Sequence, residues 1–414
     1  MNIWIFNHHA HPSTLPGGTR HHDLGKELVG RGHRVTVFAS SFLHGVGRHA
    51  GLEPPKRWSV EDVDGVKFVW LRTPPYSGNN LGRVWSMVVY MWRAWRLGRA
   101  FPRGMPDVGR PDIVIGSSVH LLAVLAAYRV ARRHRARFVM EVRDLWPQTL
   151  VDMGALSSRH PLTLALRWLE RFLYRCAERI ITLLPFAHEY ITACGIAREK
   201  VVWIPNGVDL SSDFLSTGPD EGREESDFVV MYLGAHGQAN ALDVLLEAVR
   251  CLAASGEGSI RFVLVGSGPE KGRLMAMARS SGLPNVEFRD SVPKEFVPQT
   301  LAEADALVVV LQDLPLYRYG VSLNKLFDYM AAAKPIVFAG APANNPVKDA
   351  GCGLTVPPRD PEALADAIVR LSQMPREERE AMGKRGRAYV EEHHDIRKLA
   401  ERLEKVLLDV VHGA

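Results

Sequence analysis

Two glycine-rich loops in this sequence are placed where backbone N–H groups could cradle an anion. Pro16-Gly17-Gly18 separates an apolar segment, Asn2–Phe6, from a helical pattern that opens at Arg20. A passage of this kind turns free N–H groups and the positive end of a helix dipole toward a phosphate. Two adjacent glycines also occur in plain turns, so this loop alone leaves both readings open. Gly266-Ser267-Gly268-Pro269 follows an apolar run and opens a helix, with Pro269 suited to the first helical position. It approaches a dinucleotide fingerprint, with Glu287 about twenty residues further on. Gly272 falls one residue late for that pattern, and the loop follows the second strand of its half rather than the first, so a nicotinamide cofactor is disfavoured. Arg143-Asp144 ends the apolar run Arg137–Val142 beside Trp146-Pro147. It reads as an ion pair at a strand end or as a pair facing a cleft, and the second reading is preferred.

Two other groupings invite a metal and do not support one. Asp62-Val63-Asp64 precedes Gly65 and an apolar strand pattern, where Asp and Gly supply the local hydrogen bonds and positive φ of a turn. His8, His9, His11, His21 and His22 have no acidic or cysteine partner at ligand spacing, and read as polar loop residues lining a cleft. No metal is expected.

The elements that must hold these residues come in two halves of the same rhythm. The first half reads as strands at Asn2–Phe6, Arg34–Ala39, Val66–Leu71, Asp112–Ser117, Arg137–Val142, Arg179–Leu184 and Val201–Ile204, with helices such as Arg20–Arg31, Leu121–His134 and Leu162–Cys176. Runs such as Ile113-Val114-Ile115 are continuous and β-branched, as strands buried on both faces are. Residues 206–227, polar from Ser211 onward, read as a linker. The rhythm restarts with strands at Phe228–Leu233, Arg261–Val265, Asn285–Phe288, Ala306–Leu311 and Pro335–Phe338, and helices at Ala241–Ala254, Lys271–Ser281, Asn324–Ala332 and from Pro361. The expected fold class is α/β: two doubly wound parallel-sheet domains, 1–205 and 228–414, facing a central cleft, with the last helices able to pack back on the first domain.

At 414 residues, 46% apolar and 23% charged, the chain is an ordinary globular protein able to bury two cores. Cys176, Cys194, Cys251 and Cys352 lie far apart without a Cys-x-x-Cys pair, so neither a zinc ribbon nor a disulfide scaffold is expected. The sequence enters Ile3-Trp4-Ile5-Phe6 without a basic leader, and no apolar run approaches ~18 residues; the expectation is a cytoplasmic protein that does not span a membrane. The net charge of +5 hides an asymmetry: residues 1–205 carry 28 Lys/Arg against 15 Asp/Glu, and residues 206–414 carry 23 against 31. The basic half is expected to meet something anionic.

The run Tyr319-Gly-Val-Ser-Leu-Asn-Lys-Leu-Phe-Asp-Tyr-Met-Ala-Ala-Ala-Lys-Pro335 resembles the donor-site helix of retaining glycosyltransferases of family 4, which have the two-Rossmann GT-B fold. The likeness is greatest to the branch that adds acetamido-deoxysugars such as N-acetylfucosamine to bacterial surface polysaccharides. Pro16-Gly-Gly-Thr-Arg20, Glu141-Val-Arg-Asp-Leu-Trp-Pro147, Ile204-Pro-Asn-Gly-Val-Asp209, Val265-Gly-Ser-Gly-Pro269, Ala304-Asp-Ala306 and Ala350-Gly-Cys-Gly-Leu354 agree with it, in the family's order. Many members carry two glutamates eight positions apart, one on the donor sugar and one on the ribose. Here those positions are Gly320 and Asp328. Asp328 can still accept from ribose hydroxyls, whereas Gly320 offers no side chain, which fits a deoxy or N-acetylated sugar. The family's Arg and Lys that clamp the diphosphate are Ala235 and Asn240. Lys325, beside the helix N-terminus, is the expected replacement, with Arg318 as a second cation.

The resemblance implies transfer of a glycosyl group from a nucleoside diphosphate sugar, with a uridine nucleotide as the family's usual carrier and no cofactor. It implies retention by a front-face route in which the departing phosphate oxygen takes the acceptor proton. Arg143, Asp144 and Lys325 are the expected catalytic residues. Gly17, Gly18, His236, Gly266, Gly268, Val292, Arg318, Ser322, Asn324, Lys325 and Asp328 are the expected donor-binding ones. The expected acceptor is a lipid-diphosphate-linked or free saccharide. Residues 83–99 place Trp85 and Trp92 seven apart and Arg93, Arg96 and Arg99 every third position, the pattern of an interfacial helix on a membrane surface or of an ordinary core helix. A non-hydrolysing nucleotide-sugar epimerase is the alternative enzyme. A bilobed binding protein would need export, and nucleic acid is not expected as a partner, since no recognition motif accompanies the arginines.

Overall fold

The fold follows from which segments are apolar enough to be buried on two faces. In a computed structural model, which describes all residues except 44–46, 48, 54, 79, 105–107, 119, 211–227, 258 and 414, two sheets form. The first contains β1 (Asn2–Phe6), β2 (Arg34–Ser40), β3 (Trp58–Val63), β4 (Val66–Leu71), β5 (Ile113–Ser118), β6 (Arg137–Val142), β7 (Arg179–Thr182) and β8 (Val201–Trp203), in the order β3-β4-β2-β1-β5-β6-β7-β8. All pairs are parallel except β3–β4. The second contains β9 (Val229–Leu233), β10 (Arg261–Val265), β11 (Val286–Arg289), β12 (Ala306–Val310), β13 (Ile336–Ala339) and β14 (Gly353–Val356), in the order β11-β10-β9-β12-β13-β14, all parallel. The central strands β1, β5 and β12 are buried along their whole length.

Asp62 and Asp64 belong to the β3–β4 hairpin. Asp64 and Gly65 have φ of 54° and 80°, the positive values that a two-residue primed turn needs, and Gly65 N donates to Asp62 Oδ1 at 2.9 Å. The aspartates thus shape a turn. The extra strand β3 escapes a sequence reading because Trp-Ser-Val-Glu-Asp-Val is an exposed edge with little apolar alternation.

Each sheet is covered on both faces by helices. On one face of the first sheet, helices Leu81–Gly104, Leu121–His134 and Pro161–Cys176 share a core containing Tyr90, Ala94, Val124, Ala127, Leu173 and Tyr174. On the other lie helix Arg20–Gly30 and the final helix Ile396–His412, whose Leu399, Leu403 and Leu407 join Leu24 and Leu28. The chain therefore returns to the first domain at its end. Val208 N donates to His394 O (2.9 Å) and Ile396 N to Val208 O (3.1 Å), Asp395 caps the helix by accepting from Arg397 N, and Arg31 and His33 both bind Glu404. The linker proposed for 206–227 lies outside the described residues from 211 onward.

A second tie joins the domains at the cleft. The turn Pro315–Tyr319 of the second domain buries Leu316 and Tyr319 in the first domain's core beside Leu184, Ala187 and Ile191, and Phe186 N donates to Tyr319 O at 3.1 Å. Asn206 then grips Ser322 twice, its N donating to Ser322 Oγ (2.8 Å) and its Nδ2 to Ser322 O (2.6 Å). The start of helix Asn324–Ala331 is thereby held against the first domain.

Candidate active site

The cleft floor on the first domain is built around one buried carboxylate. Glu141, in β6, accepts from Arg20 Nε (2.9 Å), pairs with His21 Nε2 (2.7 Å) and accepts from Ser117 Oγ (2.7 Å). Burial alone would push its carboxyl up, but the charges and hydrogen bond of His21 and Arg20 hold it well below the usual range. The His21 imidazole is itself lowered, chiefly by burial. Arg20 also donates to Ile204 O (2.9 Å) and to Pro205 O, so the first turn of helix Arg20–Gly30, the end of β6 and the exit from the domain are fixed together. The sequence signal for this group is a glutamate inside Arg-Phe-Val-Met-Glu-Val, an otherwise apolar strand.

That network presents the Gly17-Gly18 loop and Arg143 to the second domain. Gly17 has φ +131°, and a Cβ there would collide with His11 Nδ1, so the loop requires glycine. A Cβ on Gly18 would stand 3.5 Å from Arg143 Nη2 and 3.7 Å from Asn324 Nδ2. Gly18, Arg143 and Asn324 thus meet across the cleft. Arg143 N donates to Ser118 Oγ (3.3 Å), and the Arg143 guanidinium makes no ion pair with the exposed Asp144. Across from Asp144 lies Tyr317, whose phenol is pushed up to about 12 by burial, with the Asp144 charge adding to it.

On the second domain, Lys325 stands in the first turn of its helix. Its Nζ donates to Tyr232 Oη (2.9 Å) and Asn240 Oδ1 (2.5 Å) and lies 4.5 Å from the Tyr232 ring centre. Tyr232 Oη and Asn240 Nδ2 both donate to Ala235 O at 2.8 Å. The structure therefore brings Lys325 beside the two positions, 235 and 240, that lack cations. Burial pulls its ammonium down to about 7. Asp328 is buried and paired with Lys294 Nζ; burial pushes its carboxyl up, against the pull of Lys294.

The remaining expected donor residues are distributed less simply. Gly266 and Gly268 have φ of +151° and +157°, and Cβ atoms there would collide with Gly234 O and the His236 backbone. Their glycines serve a close approach between the loops after β9 and β10, sealed by His236 N donating to Ser267 O (2.9 Å) and Glu270 N to His236 O (3.0 Å). The His236 ring is fully buried, its nitrogens lack hydrogen-bond partners among the described residues, and burial lowers it to about 4. Val292 is half-buried against the second domain's core. Ser322 is occupied by Asn206, and Arg318 is exposed, lying over the Tyr319 ring at 4.7 Å with Nη2 donating to Tyr319 Oη.

The histidines serve separate partners, apart from His8 and His9, whose rings stack with centres 4.4 Å apart. His8 Nδ1 meets His120 Nε2 at 2.8 Å, His11 binds Pro16 O, His21 serves Glu141, and His22 faces Asp64. No group of three or more His, Cys, Asp or Glu able to hold a metal is found among the described residues.

Gly320 has φ +87°, and a Cβ would lie 2.6 Å from both Pro185 Cγ and Asn344 Oδ1. A carboxylate-bearing residue does not fit here while Pro185 of the first domain abuts it. Gly320→Ala is expected to cost about 1–2 kcal/mol from positive φ and overlap, read as a lower midpoint in urea unfolding. An unchanged midpoint would refute the close packing of the two domains at this point.

Comparison with known proteins identifies the kind of domain each half is. Residues 17–207 match the glycosyl transferase 4-like domain, and residues 227–374 match glycosyl transferases group 1. WcaI of Escherichia coli K12, a glycosyl transferase assigned to colanic acid biosynthesis, is 22% identical over 322 residues, 75% of this chain and 76% of its own. Among solved structures, sucrose-phosphate synthase of Thermosynechococcus elongatus superposes with a TM-score of 0.76 at 16% identity, covering 100% of this chain and 99% of that one. HepE of Anabaena, in complex with UDP and glucose, gives 0.67 at 16% identity over 98% and 99%.

Proposed function

The chain is a glycosyltransferase of the GT-B fold, and from that premise we propose that it moves an N-acetylated deoxy sugar from a uridine diphosphate carrier to a lipid-linked saccharide during surface polysaccharide synthesis. The observation that carries this reading is the meeting of Gly18 and Arg143 with Asn324 across the cleft, at the helix start where the next residue, Lys325, reaches Asn240. Two cations and a helix N-terminus from opposite domains suit a diphosphate whose charge grows as it leaves. UDP in a complex of the Anabaena relative supports the nucleotide, and the colanic acid assignment of the Escherichia coli relative supports the polysaccharide. The steric closure at Gly320 supports a sugar held without a carboxylate at that position.

In the reaction the acceptor hydroxyl oxygen bonds to the anomeric carbon as the bond from that carbon to the diphosphate breaks. The departing phosphate oxygen takes the hydroxyl proton on the same face, so configuration is retained without a protein nucleophile and without a metal. Lys325 and Arg143 stabilise the charge on the diphosphate, and the Glu141 network holds the Gly17-Gly18 loop for it. The enzyme works at the cytoplasmic face of a membrane, bound peripherally through helix Leu81–Gly104. Among the described residues no helix is long and apolar enough to cross a membrane.

The test is a panel of UDP sugars with and without a lipid-diphosphate saccharide acceptor, following UDP release and the anomeric configuration of the product. UDP release that depends on the acceptor, fastest with an N-acetylated deoxy sugar and giving a retained product, is expected. Release indifferent to acceptor, or an inverted product, would overturn the reading.

A further inference from the structure

A cluster of arginines at the outer end of the first sheet has no counter-charge among the described residues. Arg72 follows β4, its N donating to Arg57 O (3.0 Å) and its Nε to Lys56 O (2.8 Å). Arg93, from the middle of helix Leu81–Gly104, donates through Nη1 to Arg72 O. Arg93 thus meets Arg72 at the end of β4, and the backbone pairing of Arg72 with Arg57 brings a third arginine beside them. Burial, and then the charges of Arg57 and Arg72, lower Arg93, and burial followed by Arg72 lowers the half-buried His49 next to them. No carboxylate figures among the groups acting on either, and none of the three arginines forms an ion pair among the described residues; the carboxylate of Glu61 in β3 is taken by Trp70 Nε1 at 2.6 Å.

A guanidinium has five N–H donors. The backbone contacts use one on Arg72 and one on Arg93, and Arg72 Nη2 is buried with no partner among the described residues. Capping of carbonyls explains one arginine at each place; it does not explain three like charges gathered with donors to spare, which is costly without an anion.

Resting on the proposed transfer to a lipid-linked acceptor, we propose that Arg57, Arg72 and Arg93, with His49 at their side, bind the phosphate groups of a membrane lipid headgroup. The position fits the acceptor's diphosphate. The end of β4 is two strands from β1, roughly 10 Å at the usual strand spacing, and the Gly17-Gly18 loop follows β1. That span leaves room for one or two sugar rings between the phosphates and the reacting hydroxyl. Planar guanidinium forks suit phosphate oxygens. An anionic phospholipid offers the same chemistry at the same place.

The experiment measures, for the parent and for Arg57→Gln, Arg72→Gln and Arg93→Gln, the affinity for geranyl diphosphate in solution, for vesicles of phosphatidylcholine with phosphatidylglycerol, and for UDP. About tenfold weaker binding of geranyl diphosphate in each of the three variants, with UDP affinity unchanged, is expected. Loss confined to vesicle binding supports the site and assigns it to the bilayer's own headgroups. Parent-like binding of both phosphate probes in all three variants overturns the proposal. Arg57 is exposed and is held there through its backbone, so Arg57→Gln keeps the test decisive if the other two fail to fold. Absence of UDP binding in the parent would instead strike at the glycosyltransferase reading and leave the arginine site standing or falling on its own probes.

Discussion

Lys325→Ala is expected to weaken UDP binding ten- to hundredfold and to lower turnover by at least as much. The ammonium is the cation beside positions 235 and 240, where the charge of a diphosphate would otherwise go unanswered. A charge-assisted hydrogen bond contributes about 1.5–3 kcal/mol, which sets that range. The pH dependence gives a second readout. Burial holds the free ammonium at about 7, against 10.5 for an ordinary lysine. Between these values the unfolded chain carries a proton the folded one lacks, so this group makes the empty protein more stable as pH rises through the window. A bound diphosphate favours the charged form and draws the proton back. UDP binding should therefore take up close to one proton at pH 8 and weaken as pH rises above 7. Calorimetry in buffers of different ionisation heat reads both quantities. Wild-type affinity in the Ala variant, or no proton uptake in the parent, would remove Lys325 from the diphosphate site.

How far such a site can be read from sequence depends on whether its parts are local. Strands β1, β4, β6 and β10 fall at the residues expected, because continuous β-branched runs bounded by turns have few other readings. The Gly17-Gly18 loop, Arg143 and the Asn324–Lys325 helix start were visible as motifs, each at a strand end or helix start. Their meeting was not visible, since it depends on Leu316 and Tyr319 entering the other domain's core and on Asn206 gripping Ser322. The Gly-Ser-Gly loop shows the opposite difficulty. Its glycines are local and legible, yet what they answer is the backbone of Gly234–His236, about thirty residues earlier. Spacing alone puts Arg93 in one row with Arg96 and Arg99, on an interfacial helix or an ordinary core helix. The structure separates them: Arg96 and Arg99 lie over Trp92 and Trp95 at 5.1 Å each, while Arg93 turns inward to Arg72 O. Helical spacing places a side chain on a face and says nothing of the strand end beside it.

That separation changes what the proposed membrane attachment requires. Leu81, Val84, Trp85 and Trp92 are exposed on helix Leu81–Gly104, and Leu162, Leu164 and Trp168 on helix Pro161–Cys176, with Trp85 59% and Trp168 69% accessible. Both helices share one core with helix Leu121–His134 on the same side of the sheet, so the two apolar rows lie on one face of the domain. Both helices also begin at the end of the sheet that forms the cleft, because each runs back antiparallel to the strands it follows. Inserting an exposed tryptophan into an interface contributes about 2 kcal/mol at ~25 cal/mol per Å². An arginine beside an anionic leaflet adds about 1 kcal/mol and is screened by salt. Replacing Trp85, Trp92 and Trp168 together with Ser is therefore expected to release the protein from phosphatidylglycerol vesicles almost completely. Arg96→Gln with Arg99→Gln should weaken binding by about 2 kcal/mol, an effect that disappears in high salt. Activity on a short water-soluble acceptor should persist in both variants, because Lys325 and the Gly17-Gly18 loop are untouched. If the Trp variant sediments with vesicles as the parent does, the exposed aromatic face is not the attachment surface, and the excess positive charge of residues 1–205 holds the bilayer without it.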